Sequence, residues 1–278
     1  MDLKEYYNFP EGTNVEFSLV PNFFDVNPNF PCPSDMSYAM YYSTISVAPL
    51  LDTKNVTNLT FCFAYSLRLV DARNLAYWDV SNVTNLKNTF ASCSSLEELD
   101  LSSWDVSNCT NMNSLFHSCK SIKSFDFLKN WDVSNCTDMG DLFYYVSVET
   151  LDLSNWNTSN VTNMKMCSSC NNLTTLSAVN CAGVNTKNNY PIYSSSNLIN
   201  IGGFPGMKMS WDNLYGLAKC PSLTYESCIN VLNGLYDFVG NGVSVGANQG
   251  VLKVHSNFLS LVGEEISIGT NKGWTITA

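Results

Sequence analysis

A block of residues that begins with tryptophan occurs four times in this chain. The copies span 78–85, 104–111, 131–138 and 156–163, and successive tryptophans are 26, 27 and 25 residues apart. A fixed period in the twenties is typical of stacked repeat proteins, in which each unit buries its apolar face only against its neighbours. The repeat therefore predicts a solenoid whose function depends on an extended surface rather than on a catalytic pocket.

Apolar residues recur at fixed positions within each copy. After Trp78 they are Val83, Leu86, Phe90, Cys93, Leu96, Leu99 and Leu101. The spacing of three to four between Val83 and Cys93 predicts a short helix, and the alternation Leu99-Asp100-Leu101 predicts a short strand. We therefore expect an α/β leucine-rich-repeat solenoid with short parallel strands and short helices.

The consensus of the copies resembles a known repeat family. The block Trp-Asp-Val-Ser-Asn-Val-Thr-Asn, followed by Phe-x-x-Cys-x-x-Leu-x-x-Leu-Asp-Leu-Ser-x-Trp, is similar to the BspA-like leucine-rich repeat of mycoplasma lipoproteins and bacterial surface proteins. The clear match extends from Leu51 to Val179, and residues 271–274 are similar to the end of BspA-like proteins from gut Bacteroidales and their phages. The resemblance implies a surface-exposed, non-enzymatic protein that acts in adhesion and binding.

The two ends of the chain lack the clear period and predict caps. Residues 1–50 contain six of the nine prolines, so we expect an irregular N-terminal cap. Residues 51–223 are the predicted solenoid, which includes weaker copies at Leu51 and Leu198. Residues 224–278 predict an α/β cap with a helix capped by Thr224, a strand at 251–254, a helix at 258–270 and a closing strand at 274–276.

The chain is acidic and has few charged residues. It contains 14 Lys and Arg against 24 Asp and Glu, a net charge of -10, which argues against the phosphate neutralisation that nucleic-acid binding requires. No apolar run approaches membrane-spanning length, and residues 1–7 do not resemble a secretion signal. We therefore expect no nucleic acid and no membrane insertion. The expected location is a virion, or a bacterial surface reached by a non-classical route.

Several of the eleven cysteines occupy repeat positions that valine fills in other copies. Cys119 corresponds to Val146, and Cys109 corresponds to Val83, so we expect buried, reduced thiols. Cys167 and Cys170 have the spacing of half a zinc site, but no second pair follows to complete four ligands. We therefore expect neither a bound metal at these thiols nor an organic cofactor.

The outward-facing positions of the predicted strands form two columns. One column holds Asp100, Asp126 and Asp152, and its neighbour holds Glu98, Ser124 and Thr150. Parallel strands lie about 4.8 Å apart, so carboxylates within a column would repel one another. Raised pKa values, water and counterions, a bound Ca²⁺ or a basic partner would each relieve this repulsion. These six residues are the predicted binding surface, with calcium as a possible ion.

The repeated tryptophans and the eight Asn-x-Ser/Thr triplets each allow a functional and a structural interpretation. The tryptophans could form a strip that stacks on carbohydrate, but an aromatic residue fixed to the repeat period is more typical of packing. The triplets, such as those at Asn82 and Asn108, could accept glycans. Because Asn and Thr side chains at turns usually bond to nearby backbone, we expect polar ladders along the solenoid edge.

The sequence offers little for catalysis. His117 and His255 have no recognisable partner, and no phosphate-binding loop or nucleophile motif occurs. We therefore expect a recognition or adhesion module, not an enzyme, that binds a protein or a surface glycan. We place it in a phage virion or tail, in contact with the subunits of a larger assembly. A bacterial cell-surface adhesin is the alternative, and a hydrolase ranks after both.

Overall fold

Consecutive repeat units lie side by side in the structure, a computed structural model that describes residues 32–177, 179–184, 191–193, 195–208, 217–245 and 250–278. Parallel backbone bridges join equivalent residues of successive units. The bridged residues are Asp35, Asn58, Asn85, Asn111, Asp138 and Asn163. The sequence period is therefore the distance along the chain from one residue to its partner in the next unit.

The chain is of mixed α/β structure, with short parallel strands and few helices. Strands β1 (Thr150–Leu151), β3 (Thr175–Leu176) and β5 (Asn200–Ile201) form one sheet in that order, and β2 (Cys167–Ser168) pairs with β4 (Ile192–Tyr193). Near the C-terminus, β6 (Val251–Lys253) pairs in parallel with β7 (Thr275–Thr277). The α-helices within the described ranges are α1 (Tyr225–Gly234), α2 (Ser256–Val262) and α3 (Ser267–Thr270). Short 3-10 helices span Arg73–Tyr77, Asp126–Asn130, Leu217–Lys219 and Gly263–Ile266.

The predicted helix between Val83 and Cys93 is wrong, because this segment is a series of turns. Asn88 has a φ of 56°, a left-handed conformation that an α-helix does not contain. The amide groups alternate in their partners. The N–H of Thr89 bonds to the Leu86 carbonyl of its own unit, whereas the N–H of Asn88 bonds to the Asn113 carbonyl of the next unit. Turns that share their amides with a neighbouring unit thus reproduce the apolar spacing of a helix.

The predicted strand at Leu99–Leu101 is also wrong. The chain turns there, because the Asp100 carboxylate accepts a hydrogen bond of 2.9 Å from the N–H of Ser102. One unit later the equivalent residues enter the 3-10 helix Asp126–Asn130. Among residues 32–177, strands form only from β1 onward. The predicted copy at Leu198 is confirmed, since β5 continues the register of β3.

Pairing between units begins before the predicted boundary at residue 50. Asp35 pairs in parallel with Asn58, and the side chains of Met36 and Met40 are 1% and 2% exposed. Residues 32–50 therefore form a further unit, whose register was obscured because methionines occupy its core positions. The rest of the predicted N-terminal cap, residues 1–31, lies outside the described residues.

Aromatic side chains of equivalent positions pack on one another through the interior. The rings of Phe63, Phe90, Phe116 and Phe143 stack with centroids 5.5 to 6.1 Å apart. The four repeated tryptophans are only 2 to 6% exposed. Each indole N–H donates to a carbonyl one unit earlier, as Trp104 does to Leu75 at 2.8 Å. The structural interpretation of the tryptophans is confirmed, and the carbohydrate-stacking strip is wrong.

All eleven cysteines are buried, and one position of the repeat uses them as hydrogen-bond donors. The Sγ atom of Cys93 lies 3.1 Å from the Phe63 carbonyl oxygen one unit earlier. The same kind of bond is made at this position by Ser66, Cys119, Cys170 and Ser195. Burial raises the pKa of the Cys93 thiol to about 12, which makes it a poor nucleophile at neutral pH. Cysteine is here both a small apolar residue and a donor.

Val146 occupies this donor position without a donor, and its side chain is 2% exposed. Val146→Cys should therefore raise the free energy of unfolding by about 0.5 to 1 kcal/mol, because the thiol can donate to the Phe116 carbonyl at little change in volume. Urea unfolding followed by circular dichroism measures the shift. The converse variant Cys119→Val should lose a similar amount. Unchanged midpoints in both variants would show that these bonds contribute nothing net.

Polar side chains form the predicted ladders along the edge of the units. Thr84, Thr110, Thr137 and Thr162 each donate a hydroxyl hydrogen bond to the carbonyl of the equivalent residue one unit earlier. The amides of Asn82, Asn108, Asn135 and Asn160 also each donate to a carbonyl of the preceding unit. These hydrogen bonds to backbone carbonyls are sufficient to explain why Asn and Thr recur at these positions.

The C-terminal residues contain the predicted helices and strands with one interruption. Thr224 caps α1 by accepting a hydrogen bond from the N–H of Ser227. The helix predicted at 258–270 is broken at Gly263, whose φ is 51°, into α2, a 3-10 turn and α3. The Lys272 ammonium then ties this region to the end of α1, since it donates to the carbonyls of Leu232, Asn233 and Leu235.

Candidate functional site

The six residues predicted to bind a partner are all exposed. Backbone register relates Glu98 to Ser124, and it separately relates Thr150 to Thr175 of the following unit. The N–H of Lys123 bonds to the Glu97 carbonyl, which brings Ser124 beside Glu98, and Thr150 is the register partner of Thr175. We call this set, together with Asp100, Asp126 and Asp152, the strand-side columns.

The aspartates of the strand-side columns take part in local turns. The Asp152 carboxylate accepts hydrogen bonds from the Ser154 N–H at 3.2 Å and from its hydroxyl at 2.7 Å. The Lys129 ammonium lies 3.3 Å from Asp126 and 3.9 Å from Asp152, so these two carboxylates share a cation. The Asp100 carboxylate accepts the turn bond from the Ser102 N–H. All three face outward as expected, but none lies in a strand, so the expectation that strands position them is wrong.

Hydrogen-bond donors, not protonation, relieve the repulsion between these carboxylates. The backbone N–H of Ser102 lowers the pKa of Asp100. The hydroxyl of Ser154 lowers the pKa of Asp152, and that of Ser124 lowers the pKa of Asp126. The alternative of raised pKa values is wrong, because each carboxylate gains donors that favour its charged form.

Acid should destabilise the protein by protonating the aspartates whose pKa values are lowered in the folded state. A folded-state pKa below the unfolded value of about 3.9 adds stability that is complete above that pH and is lost as pH falls through the folded value. Asp71, whose pKa the Arg73 guanidinium lowers to about 2, should contribute in the same direction. Carboxyl ¹³C NMR titration should place the midpoints of Asp71 and Asp100 below the ordinary range. Ordinary midpoints for both would contradict the turn bonds.

No metal site is formed by the residues that the structure describes, since no three His, Cys, Asp or Glu side chains converge there. Calcium takes six to eight oxygen ligands, more than a pair of column carboxylates supplies. The calcium hypothesis stays a prediction, which calorimetric titration with Ca²⁺ tests. In the described ranges, no helix is long and apolar enough to cross a membrane.

Both histidines have structural environments. The His117 ring stacks on Tyr144 with centroids 4.5 Å apart, and its burial lowers its pKa. The His255 Nδ1 atom accepts a hydrogen bond of 3.1 Å from the N–H of Asn257 and so caps α2. Neither contact is one that activates a nucleophile.

An exposed aromatic cluster that the sequence analysis did not identify lies in the first described units. Tyr38 stacks on Phe61 with centroids 5.0 Å apart, and Tyr42 stacks on Tyr65 at 4.7 Å. Tyr41 lies between the two pairs and meets all four rings edge-on. We call these five residues the tyrosine surface. Their 23-residue repetition is visible in the sequence, but it becomes informative only once residues 32–50 are recognised as a unit.

Comparison with known proteins gives one family and two distant structures. A family model described as "Mycoplasma protein of unknown function, DUF285" matches residues 35–126 and 120–190. A leucine-rich repeat protein from Bacteroides ovatus is 11% identical, with a TM-score of 0.38 over 91% of this chain, which spans 60% of that protein. An internalin from Listeria monocytogenes is 13% identical, with a TM-score of 0.18 over 81% of this chain and 87% of its own. No curated protein sequence matches significantly.

Proposed function

Because the chain belongs to the family of mycoplasma proteins of unknown function termed DUF285, we propose that it is a non-catalytic recognition module that binds a partner protein. The predicted mycoplasma-type repeat family is thereby confirmed. The likeness of residues 271–274 to Bacteroidales and phage proteins stays a prediction. We further propose a capped leucine-rich-repeat solenoid that extends from residue 32 to residue 223, because residues 32–50 pair in the same parallel register as later units.

The contrast between the interior and the exterior of the repeat carries this proposal. The phenylalanines, tryptophans and cysteines of the repeat are buried and pack between units. Outside, the strand-side columns present polar side chains at the spacing of one unit. A regular array on a stacked scaffold is suited to an extended partner rather than to a small substrate. Family members in general act without catalysis, and the described residues assemble no nucleophile with a base.

Charge favours a protein partner with a basic surface. The chain carries a net charge of -10, and four of the six predicted residues are carboxylates. Complementary charge accelerates encounter and suppresses wrong partners. A neutral glycan would gain nothing from these carboxylate charges. We place this role on a bacterial surface, as the BspA-like resemblance implies, and mass spectrometry that found the chain in purified phage particles would move it to a virion.

The test is cell binding by the labelled protein. We expect saturable binding to intact bacterial or epithelial cells, measured by flow cytometry, which protease treatment of the cells removes. The double variant Ser124→Lys/Thr150→Lys should weaken this binding at least tenfold, because it replaces two short polar side chains of one column by long cations.

Asn130→Lys is the matched control, because Asn130 is exposed and lies outside the strand-side columns. It should bind as the wild type does. An equal loss of binding in this control would overturn the proposal. So would a failure to bind saturably to both bacterial and epithelial cells. Binding that survives protease but is lost after periodate oxidation of the cells would overturn the choice of a protein partner.

A further inference from the structure

The tyrosine surface places large rings at backbone positions that disfavour them. Tyr38, Tyr42, Phe61 and Tyr65 have φ values of 60°, 54°, 56° and 61°. A left-handed conformation is unusual for a bulky residue and costs on the order of 1 to 3 kcal/mol. In later units the equivalent positions hold Asn88, Ser92, Ser114 and Ser118, which are small and polar. The backbone conformation therefore does not explain why aromatic residues occupy these positions. We attribute their presence to a function of the rings themselves.

A third tyrosine at an equivalent turn position shows what such a ring can bind. Tyr145 occupies the turn position of Tyr42 and Tyr65, with a φ of 57°. The Lys120 ammonium of the preceding unit lies 5.3 Å from the centre of its ring. Two further lysines lie over tyrosine rings at other positions of the chain, Lys165 over Tyr193 at 4.4 Å and Lys208 over Tyr236 at 4.3 Å. An ammonium over the face of a tyrosine is an attractive cation–π contact.

Tyr38 and Tyr42 each leave one ring face exposed. Phe61 and Tyr65 cover the opposite faces, while Tyr38 and Tyr42 remain 49% and 60% exposed. Among the described residues, no lysine or arginine lies over either ring. The exposed faces thus correspond to the face of Tyr145 that Lys120 occupies.

We propose that the tyrosine surface binds the lysine or arginine side chains of a basic protein segment. The Tyr41 ring lies 5.3 Å from Tyr38 and 4.6 Å from Tyr42 between centroids, so the two exposed faces are close enough for adjacent cations of one segment to reach both. The net charge of -10 attracts such a segment to the protein and keeps it near the rings. This surface uses turn positions of the repeat rather than the strand-side columns, so its test and that of the recognition function are independent.

The test uses a short peptide with two lysines and its Nε-acetylated form, with affinity measured by calorimetry at physiological salt. The wild type should bind the lysine peptide at least tenfold more tightly than the acetylated one. The double variant Tyr38→Asn/Tyr42→Asn should bind the lysine peptide at least fivefold more weakly than the wild type does. Asparagine tolerates the left-handed conformation, so this variant should fold, and it leaves the net charge unchanged. Tyr38→Phe/Tyr42→Phe should bind as the wild type does, because the ring faces remain.

Tyr77→Asn is the control, because Tyr77 is 75% exposed and lies outside the cluster. It should not change the affinity. Wild-type affinity in Tyr38→Asn/Tyr42→Asn would overturn the proposal, since general charge attraction would then explain the binding. Equal binding of the acetylated peptide would overturn it as well. Preference for a neutral oligosaccharide such as maltoheptaose, lost in the asparagine variant, would reassign the surface to glycans.

Discussion

Trp131→Ala should lower the free energy of unfolding by about 3 to 5 kcal/mol, the range for truncating a large buried aromatic residue. The indole is 2% exposed and lies against Phe116 and Phe127, with ring centroids 6.3 and 5.7 Å away. Its N–H also donates to the Leu101 carbonyl one unit earlier at 3.0 Å. The alanine variant therefore loses ring packing and leaves a buried acceptor without one of its donors. Urea unfolding followed by circular dichroism gives the loss.

Two further variants separate the causes of that loss. Trp131→Phe keeps a ring and removes the donor, so it should fall between the wild type and the alanine variant. Tyr77→Ala, at a residue that is 75% exposed, should change the midpoint little. If the alanine variant unfolded at the wild-type urea concentration, the indole would not be a core element.

Gly203→Ala should cost about 2 to 4 kcal/mol, because it combines backbone strain with overpacking. Gly203 has a φ of 96°, and a Cβ atom there would lie 2.5 Å from the Asn230 carbonyl oxygen. This carbonyl belongs to α1, so the glycine is what allows α1 to approach the last paired units. Thermal and urea unfolding should both show the loss.

Gly242→Ala is the matched control for the collision. Gly242 also has a positive φ, 63°, but a Cβ atom there would have no heavy atom within 4 Å. This substitution should cost only about 1 kcal/mol, the strain of a left-handed alanine. Equal losses at the two positions would show that the contact with α1 adds nothing to the stability loss at Gly203.

The tryptophan period predicted the stacking of units correctly because it reports a direct physical need. Trp104 must meet both the Phe90 ring and the Leu75 carbonyl, which lies 29 residues before it in the chain, and only an almost constant period satisfies both. The same reasoning predicted the buried cysteines and the polar ladders. In each case one side chain has one environment that recurs along the chain.

The sequence predicted the local backbone less well. Apolar residues three to four apart fit a helix, and they also fit consecutive turns when a neighbouring unit accepts alternate amides. Asn88 and Ser92 could have indicated the turns, since these residue types tolerate positive φ. The aspartates likewise fitted both an outward strand position and a turn cap. The tyrosine surface was missed because its rings replace these small residues and conceal the register.

The side-chain donors described above nearly all point one way, toward the unit that precedes them in the chain. Tryptophan, cysteine, threonine and asparagine each bond a carbonyl about one period earlier. At the far end, the Ser227 hydroxyl and the Asn230 amide of α1 close the series on Ile199 and Ile201. A ribosome releases the N-terminal units first, so each new unit meets open acceptors on a surface already made. These side chains therefore donate to units that are synthesised before their own.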